Sequence, residues 1–304
     1  RIRTQLAILF VLVLAQRIAE EAGAYPTLPA RTAYPPIPLL EPLRKDSAPF
    51  RIAGVGDSFP PGTSAMYGLQ DVRGYEPMTL KRYADTYPLW CAAQPVWFNR
   101  VDDLTRPFLS LLNVRYAIAS EAVSVPDSWR EVRSDRGARL FENTRVLDRA
   151  FIPRTIRLGV SEADELIEMD HATDFADVAW VRAAMPAQQR DNGPGRVTTI
   201  DHGSELLLTA EMQRAGWIIL SEPSWKGWRA YVDSSRVETQ IANRALLAVY
   251  VPAGKHNVRL IYRPESFVIG RAISAIALIA FAVLLARTRR TPDRSGGYES
   301  ITTA

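Results

Sequence analysis

The sequence predicts an α+β chain tied to a membrane. A mixed α/β module precedes an antiparallel β-sandwich of jelly-roll type, and transmembrane helices flank both. Three observations predict this. A twenty-residue apolar run closes the chain, short alternating strands fill residues 196–263, and helix and strand signals mix between 50 and 145.

The apolar run is Phe267 to Ala286, with Arg271 as its one charge and no proline. Twenty residues of helix span ~30 Å, the thickness of a hydrocarbon core. Arg271 lies one turn inside the run, where its stem can return the guanidinium to the interface. Arg287, Arg289 and Arg290 follow at once and favour the cytoplasmic side. The tail 287–304 is therefore expected inside, and residues 25–265 outside. At the other end, Leu6 to Ala15 is apolar between Arg3 and Arg17. This run reads either as a membrane helix over 4–22, truncated or short, or as a signal-peptide core with Ala22-Gly23-Ala24 as a small-residue cleavage pattern.

Seven prolines between 25 and 49 predict an extended connector. Over 50–145, Phe50 to Val55 reads as a strand and Pro77 to Tyr83 as a helix start. Asp102 or Asp103 is a candidate N-cap for a helix running to Leu112, with Pro107 near its first turn. Val114 to Ala119 is an apolar strand. Ser134-Asp135-Arg136-Gly137 is a hairpin turn between Trp129–Arg133 and Arg139–Glu142.

The sandwich module is expected over 146–265. Helical spacing covers 162–185 through Ala163, Leu166 and Ile167, then Val178, Val181 and Arg182. Asp191 to Gly195 is a loop. The following segments alternate with a period of two, and the last places His256, Val258, Leu260 and Tyr262 on one face. Regular short strands joined by turns indicate a sandwich.

The net charge is +4. The surplus lies in Arg1, Arg3, Arg17, Arg271, Arg287, Arg289, Arg290 and Arg294, beside the apolar runs and in the tail. Setting these aside, with Asp293 and Glu299 of the tail, leaves a slightly acidic remainder. The basic balance thus belongs to membrane flanks, and no nucleic-acid partner is expected. Cys91 is the single cysteine, which excludes an intrachain disulfide. His171, His202 and His256 lack partners at ligand spacing, so no metal is expected.

Two groups are candidate sites. Trp225, Lys226, Trp228, Tyr231 and Asp233, near Trp217, combine flat aromatic faces with polar groups that suit a sugar ring. The same residues also read as sandwich core and turn, or as aromatics at a membrane interface. Tyr75, Glu76 and Arg82, beside Lys81 and Tyr83, are the second group, and also read as a helix start with a solvated basic face. Asp102-Asp103 is explained by capping. No nucleophile triad or phosphate loop is present in the sequence pattern, so no catalytic residue is assigned.

Several runs resemble the end of bacterial YfhO-like membrane proteins. They are Ile218 to Ser221, Trp225 to Asp233, Val251-Pro252-Ala253-Gly254-Lys255-His256 and Tyr262-Arg263-Pro264. Upstream, Arg51-Ile52, Tyr67-Gly68-Leu69, Gly74 to Pro77, Arg82-Tyr83, Leu111 to Tyr116 and Phe141 to Asn143 agree in order and spacing. Ser234 stands where the family usually has glycine. The resemblance implies a polytopic protein akin to GT-C glycosyltransferases, which take sugar from a lipid-phosphate donor at the outer membrane face. It implies catalytic acids in an early outer loop, so this chain is expected to be the C-terminal portion, without cofactor. Its expected partners are the bilayer, a lipid-linked sugar and a cell-envelope glycan. A non-catalytic, membrane-anchored carbohydrate- or envelope-binding module is the alternative.

Overall fold

The computed structural model describes residues 2–22, 29, 32, 34–74, 78–92, 99–183 and 186–289. Helices Ile2–Ala22 and Glu265–Arg289 stand at its two ends, and three sheets lie between them.

The first sheet is built from β1 (Arg51–Gly54), β2 (Val114–Ser120), β3 (Trp129–Asp135) and β4 (Ala138–Asn143), in the order β1-β2-β4-β3. β1 runs parallel to β2, and the others are antiparallel. Arg136 and Gly137 both have positive φ, so the β3–β4 hairpin forms where the sequence places it. The proline-rich stretch is not extended throughout. Pro38–Lys45 is a 3-10 helix whose Leu39, Leu40 and Leu43 pack with Ile52, Tyr116, Ile118 and Leu140 of this sheet. Proline at its first turn suits a helix start, and burial of the three leucines offsets the donors that Pro38 and Pro42 lack.

Two larger sheets follow. The seven-stranded sheet has the order β5-β11-β15-β14-β7-β6-β8, from β5 (Ala150–Phe151), β6 (Thr155–Leu158), β7 (Val178–Val181) and β8 (Gln188–Asp191), with β11 (Gly216–Pro223), β14 (Thr239–Ala242) and β15 (Leu246–Val251). The five-stranded sheet has the order β13-β12-β16-β10-β9, from β9 (Gly195–Asp201), β10 (Glu205–Met212), β12 (Trp228–Val232), β13 (Ser235–Val237) and β16 (Gly254–Tyr262). Alternate residues of both sheets enter one buried cluster. Leu206, Leu208, Ala230, Val232, Val258 and Leu260 come from the five-stranded sheet, and Ile218, Leu220, Leu247 and Val249 from the seven-stranded one. The period-two pattern of the sequence is this shared layer.

Two sequence expectations change here. Val178 and Val181 do not continue a helix. The helix is Glu162–Asp170, capped by Ser161, whose Oγ accepts from Asp164 N at 3.2 Å. Val178–Val181 is then a strand parallel to β6, because the intervening helix supplies the crossover that a parallel pair needs. Glu168 fixes that helix, accepting from Arg157 Nε (3.0 Å) and Trp180 Nε1 (2.6 Å). Neither Asp102 nor Asp103 caps a helix to Leu112. Asp103 Oδ1 accepts from Thr105 N (2.8 Å) in a turn, and the helix is only Pro107–Leu111, with Pro107 in its first turn.

A second buried cluster runs from Ala53, Val101 and Phe108 to Phe151, Trp180, Ile219 and Ala248. It therefore joins residues on both sides of position 145. The helix Glu265–Arg289 contains a 21-residue stretch, Glu265–Leu285, that is long and apolar enough to cross a membrane, and no other described helix is. The helix Ile2–Ala22 exposes Ile8, Leu9, Phe10, Val11 and Leu12.

Candidate functional site

The aromatic group predicted from sequence does not form one surface. Ala230 and Val232 of β12 face the shared layer, and Trp228, two residues earlier, packs against the same layer. Tyr231 is three residues from Trp228, so the strand period puts it on the opposite, outward face. There, Tyr231 and Asp233 line a groove of about 940 Å³ with Thr198, Ile200, Leu207 and Arg259. Trp217 lies elsewhere, against Tyr250 across β11–β15 at 5.2 Å between ring centroids.

Asp233 has a structural task. Asp233 and Ser234 both have positive φ, as a two-residue hairpin turn between β12 and β13 requires. Asp233 Oδ1 accepts from Asn257 N at 2.8 Å, and Oδ2 meets His256 Nδ1 at 2.6 Å. His256 Nε2 lies 3.1 Å from Ala253 O. Hydrogen bonding to Asp233, then to Ala253 O, raises the imidazole pKa above its ordinary value. The bond to His256 and that from Asn257 hold the Asp233 carboxyl below its ordinary value.

Trp225, Lys226 and Trp228 gather at the foot of the sheet, where β16 passes into the C-terminal helix. Trp225 is 51 % exposed and Lys226 is exposed. The Trp228 and Tyr262 rings lie 5.3 Å apart. Of the second group, Arg82 is exposed on the short helix Lys81–Ala84, and Tyr75 and Glu76 lie outside the described residues.

The structure adds a cleft that the sequence did not reveal. It has a volume of about 350 Å³ and is walled by Pro49, Phe50 and Leu69 on one side and by Thr199, Asp201 and Gly203 on the other. Arg149 is its buried floor, 1 % exposed. Arg149 Nη1 donates to Glu222 Oε1 (2.9 Å) and Nη2 to Gln70 Oε1 (2.6 Å), with Asp201 Oδ2 at 3.9 Å. Arg51 shares Glu222 at 3.1 Å and donates to Ser221 Oγ at 2.7 Å. Burial, assisted by the nearby Arg51 and opposed by Glu222, pushes the Arg149 pKa down to about 10. Arg149 Nε and Thr199 Oγ1 are buried without a partner among the described residues.

Two arginines and two carboxylates leave this cluster formally neutral. It presents donors and acceptors beside an apolar wall. Such a site suits a polar, uncharged ligand with several hydroxyls better than a free anion. Its rim lies near the C-terminal helix: Ser204, next to Gly203, accepts from Tyr262 N at 2.8 Å, and that helix begins at Glu265. Its residues come from segments near 50, 70, 149 and 200, so no local motif could announce it. Cys91 is half-buried, and burial pushes its thiol pKa up to about 12. Among the described residues, no group of three or more His, Cys, Asp or Glu is placed to hold a metal.

A family model described as bacterial membrane protein YfhO matches residues 188–274. The match begins at β8, takes in the five-stranded sheet and ends inside the C-terminal helix. No curated protein and no solved structure matches the chain.

Proposed function

We propose that residues 25–265 are the extracytoplasmic part of a YfhO-type membrane protein, a mixed α/β module joined to a jelly-roll-like sandwich. The helix that follows is a membrane span with its C-terminal end in the cytoplasm. In this reading the module serves GT-C-type sugar transfer from a lipid-phosphate-linked donor to a cell-envelope acceptor. It holds a saccharide and does no chemistry itself, because the reacting groups lie in other parts of the parent protein.

The observation that carries this reading is the neutral cleft above Arg149, which opens close to the root of the C-terminal helix. A hexose on a lipid carrier stays near the bilayer, so a sugar site serving it belongs near that root. Asp201 would accept from and Gln70 donate to ring hydroxyls, and Leu69 and Phe50 would cover an apolar sugar face.

The test is equilibrium binding to the full chain in lipid nanodiscs, with a radiolabelled polyprenyl-phosphate hexose and with soluble envelope oligosaccharides. Saturable binding of the lipid-linked sugar, weakened about tenfold or more by Asp201→Asn and by Gln70→Ala, is expected. No saturable binding, or equal binding by both variants, would overturn the proposal. Binding of soluble glycan alone would favour the alternative, a non-catalytic envelope-binding module.

A further inference from the structure

The structure assigns a second site, a phospholipid-binding collar formed by Trp225 and Lys226 with Trp228, Tyr262 and Arg263. It rests on the reading of Glu265–Leu285 as a membrane span, and it is independent of the sugar site.

The collar follows from how sheet and helix are joined. β16 ends at Tyr262, and only Arg263 and Pro264 separate it from the helix. Phe267 N and Val268 N already donate to Pro264 O, at 3.2 and 3.3 Å. There is no linker, so the end of the sheet must lie at the membrane surface when the helix spans.

The loop before β12 is fastened to this junction. Arg263 N donates to Gly227 O at 2.7 Å. Gly227 has a φ of +119°, and a Cβ there would come within 2.9 Å of Pro264 Cα. Only glycine lets the loop sit so close. Trp228 leans on Tyr262, its cross-strand partner. The loop therefore cannot swing away from the helix root, and it holds an exposed indole and an exposed ammonium beside it.

The chemistry suits the interface between headgroup and acyl chain. An indole places its apolar ring among the upper methylenes and its N–H among carbonyl and phosphate oxygens. Lys226 and Arg263 are exposed cations and Glu265 an exposed anion, so the collar carries one net positive charge for phosphate. Trp225 gains little from the fold itself. Half its surface is open, in contrast to Trp90, Trp129 and Trp180, which are buried.

A collar of this kind sets the tilt of the sheets over the bilayer. It also sets the height of the cleft, because the Gly203 wall is tied to Tyr262 through Ser204.

The full chain, reconstituted in vesicles of phosphatidylethanolamine and phosphatidylglycerol, tests the collar by fluorescence. Lipids brominated near the top of the acyl chain are the probe. Flotation with the vesicles first checks that the chain is membrane-bound, as the span requires. For protein that floats, brominated lipid is expected to quench the emission, and Trp225→Phe to lower the quenchable fraction about twofold or more. Trp217→Phe, changed away from the junction, should not lower that fraction. Absence of quenching in the floating protein, or equal quenching with and without Trp225, would overturn the collar. Failure to float would instead overturn the span on which it rests.

Discussion

The layer shared by the two large sheets is apolar, whereas the junction between the first sheet and the rest adds buried ion pairs to its apolar cluster. In the layer, Leu206, Leu208, Val258 and Leu260 meet Ile218, Leu247 and Val249, and the buried residues are apolar side chains at alternate positions. At the junction, buried arginines are added to the apolar cluster that holds Phe108, Trp180 and Ile219. Arg149 and Arg51 converge on Glu222. Arg244 binds Asp85 (3.1 Å from Nε) and Glu162 (2.7 Å from Nη1), and its backbone N donates to Glu165 Oε1 at 2.7 Å. Apolar contact is non-directional and forgiving. A buried charge demands every partner.

This contrast makes predictions that can break it. The largest effect is expected at the junction. Arg244→Met takes the guanidinium from Asp85 and Glu162, which keep only Lys81 and Arg182, and leaves the backbone donor to Glu165 in place; it should cost about 3 kcal/mol in urea unfolding of the detergent-solubilised chain. Leu208→Met in the layer should cost less than about 1.5 kcal/mol, because volume and polarity are nearly kept. Equal costs would mean that the two regions do not differ as described.

The His256–Asp233 pair gives a smaller, pH-dependent effect at the edge of the layer. The folded pKa of His256 is raised, so its contribution is complete below about 6.5 and lost as pH rises through the folded value. The Asp233 carboxyl is depressed, so its contribution is complete above about 3.8 and lost as pH falls through its folded value. The pair should therefore stabilise most between about pH 4 and 6.5. Thermal unfolding across pH should show His256→Gln losing the alkaline fall while keeping part of the acid one. The smallest effect is at Ser234, which adopts φ +75° where glycine would rest without strain. Ser234→Gly should stabilise by about 0.5–1 kcal/mol in the same assay.

The same contrast explains what the sequence revealed. Strand β16 was legible because His256, Val258, Leu260 and Tyr262 repeat every second residue, and the Arg136-Gly137 turn because its chemistry is local. Val178–Val181 reads as helix or strand from sequence, because four apolar residues fit both, and pairing with β6 decides between them. Pro38–Lys45 reads as extended from sequence because its leucines gain their helix only by packing on a distant sheet. The split of Trp228 from Tyr231 was available in the sequence, since an odd separation within a strand means opposite faces. The Arg149 cleft was not, because its walls meet only where the segments flanking the first sheet pack beside the five-stranded sheet.

On the proposed topology the sheets lie outside the cytoplasmic membrane and the last helix ends inside it. Labelling with a membrane-impermeant maleimide in intact spheroplasts tests this most directly. The half-buried Cys91, its thiol pKa raised, supplies a low background. Glu238 is exposed beside β13 and Ser300 lies in the tail. Glu238→Cys is expected to be labelled in intact spheroplasts and Ser300→Cys only after lysis. The reverse pattern would contradict it.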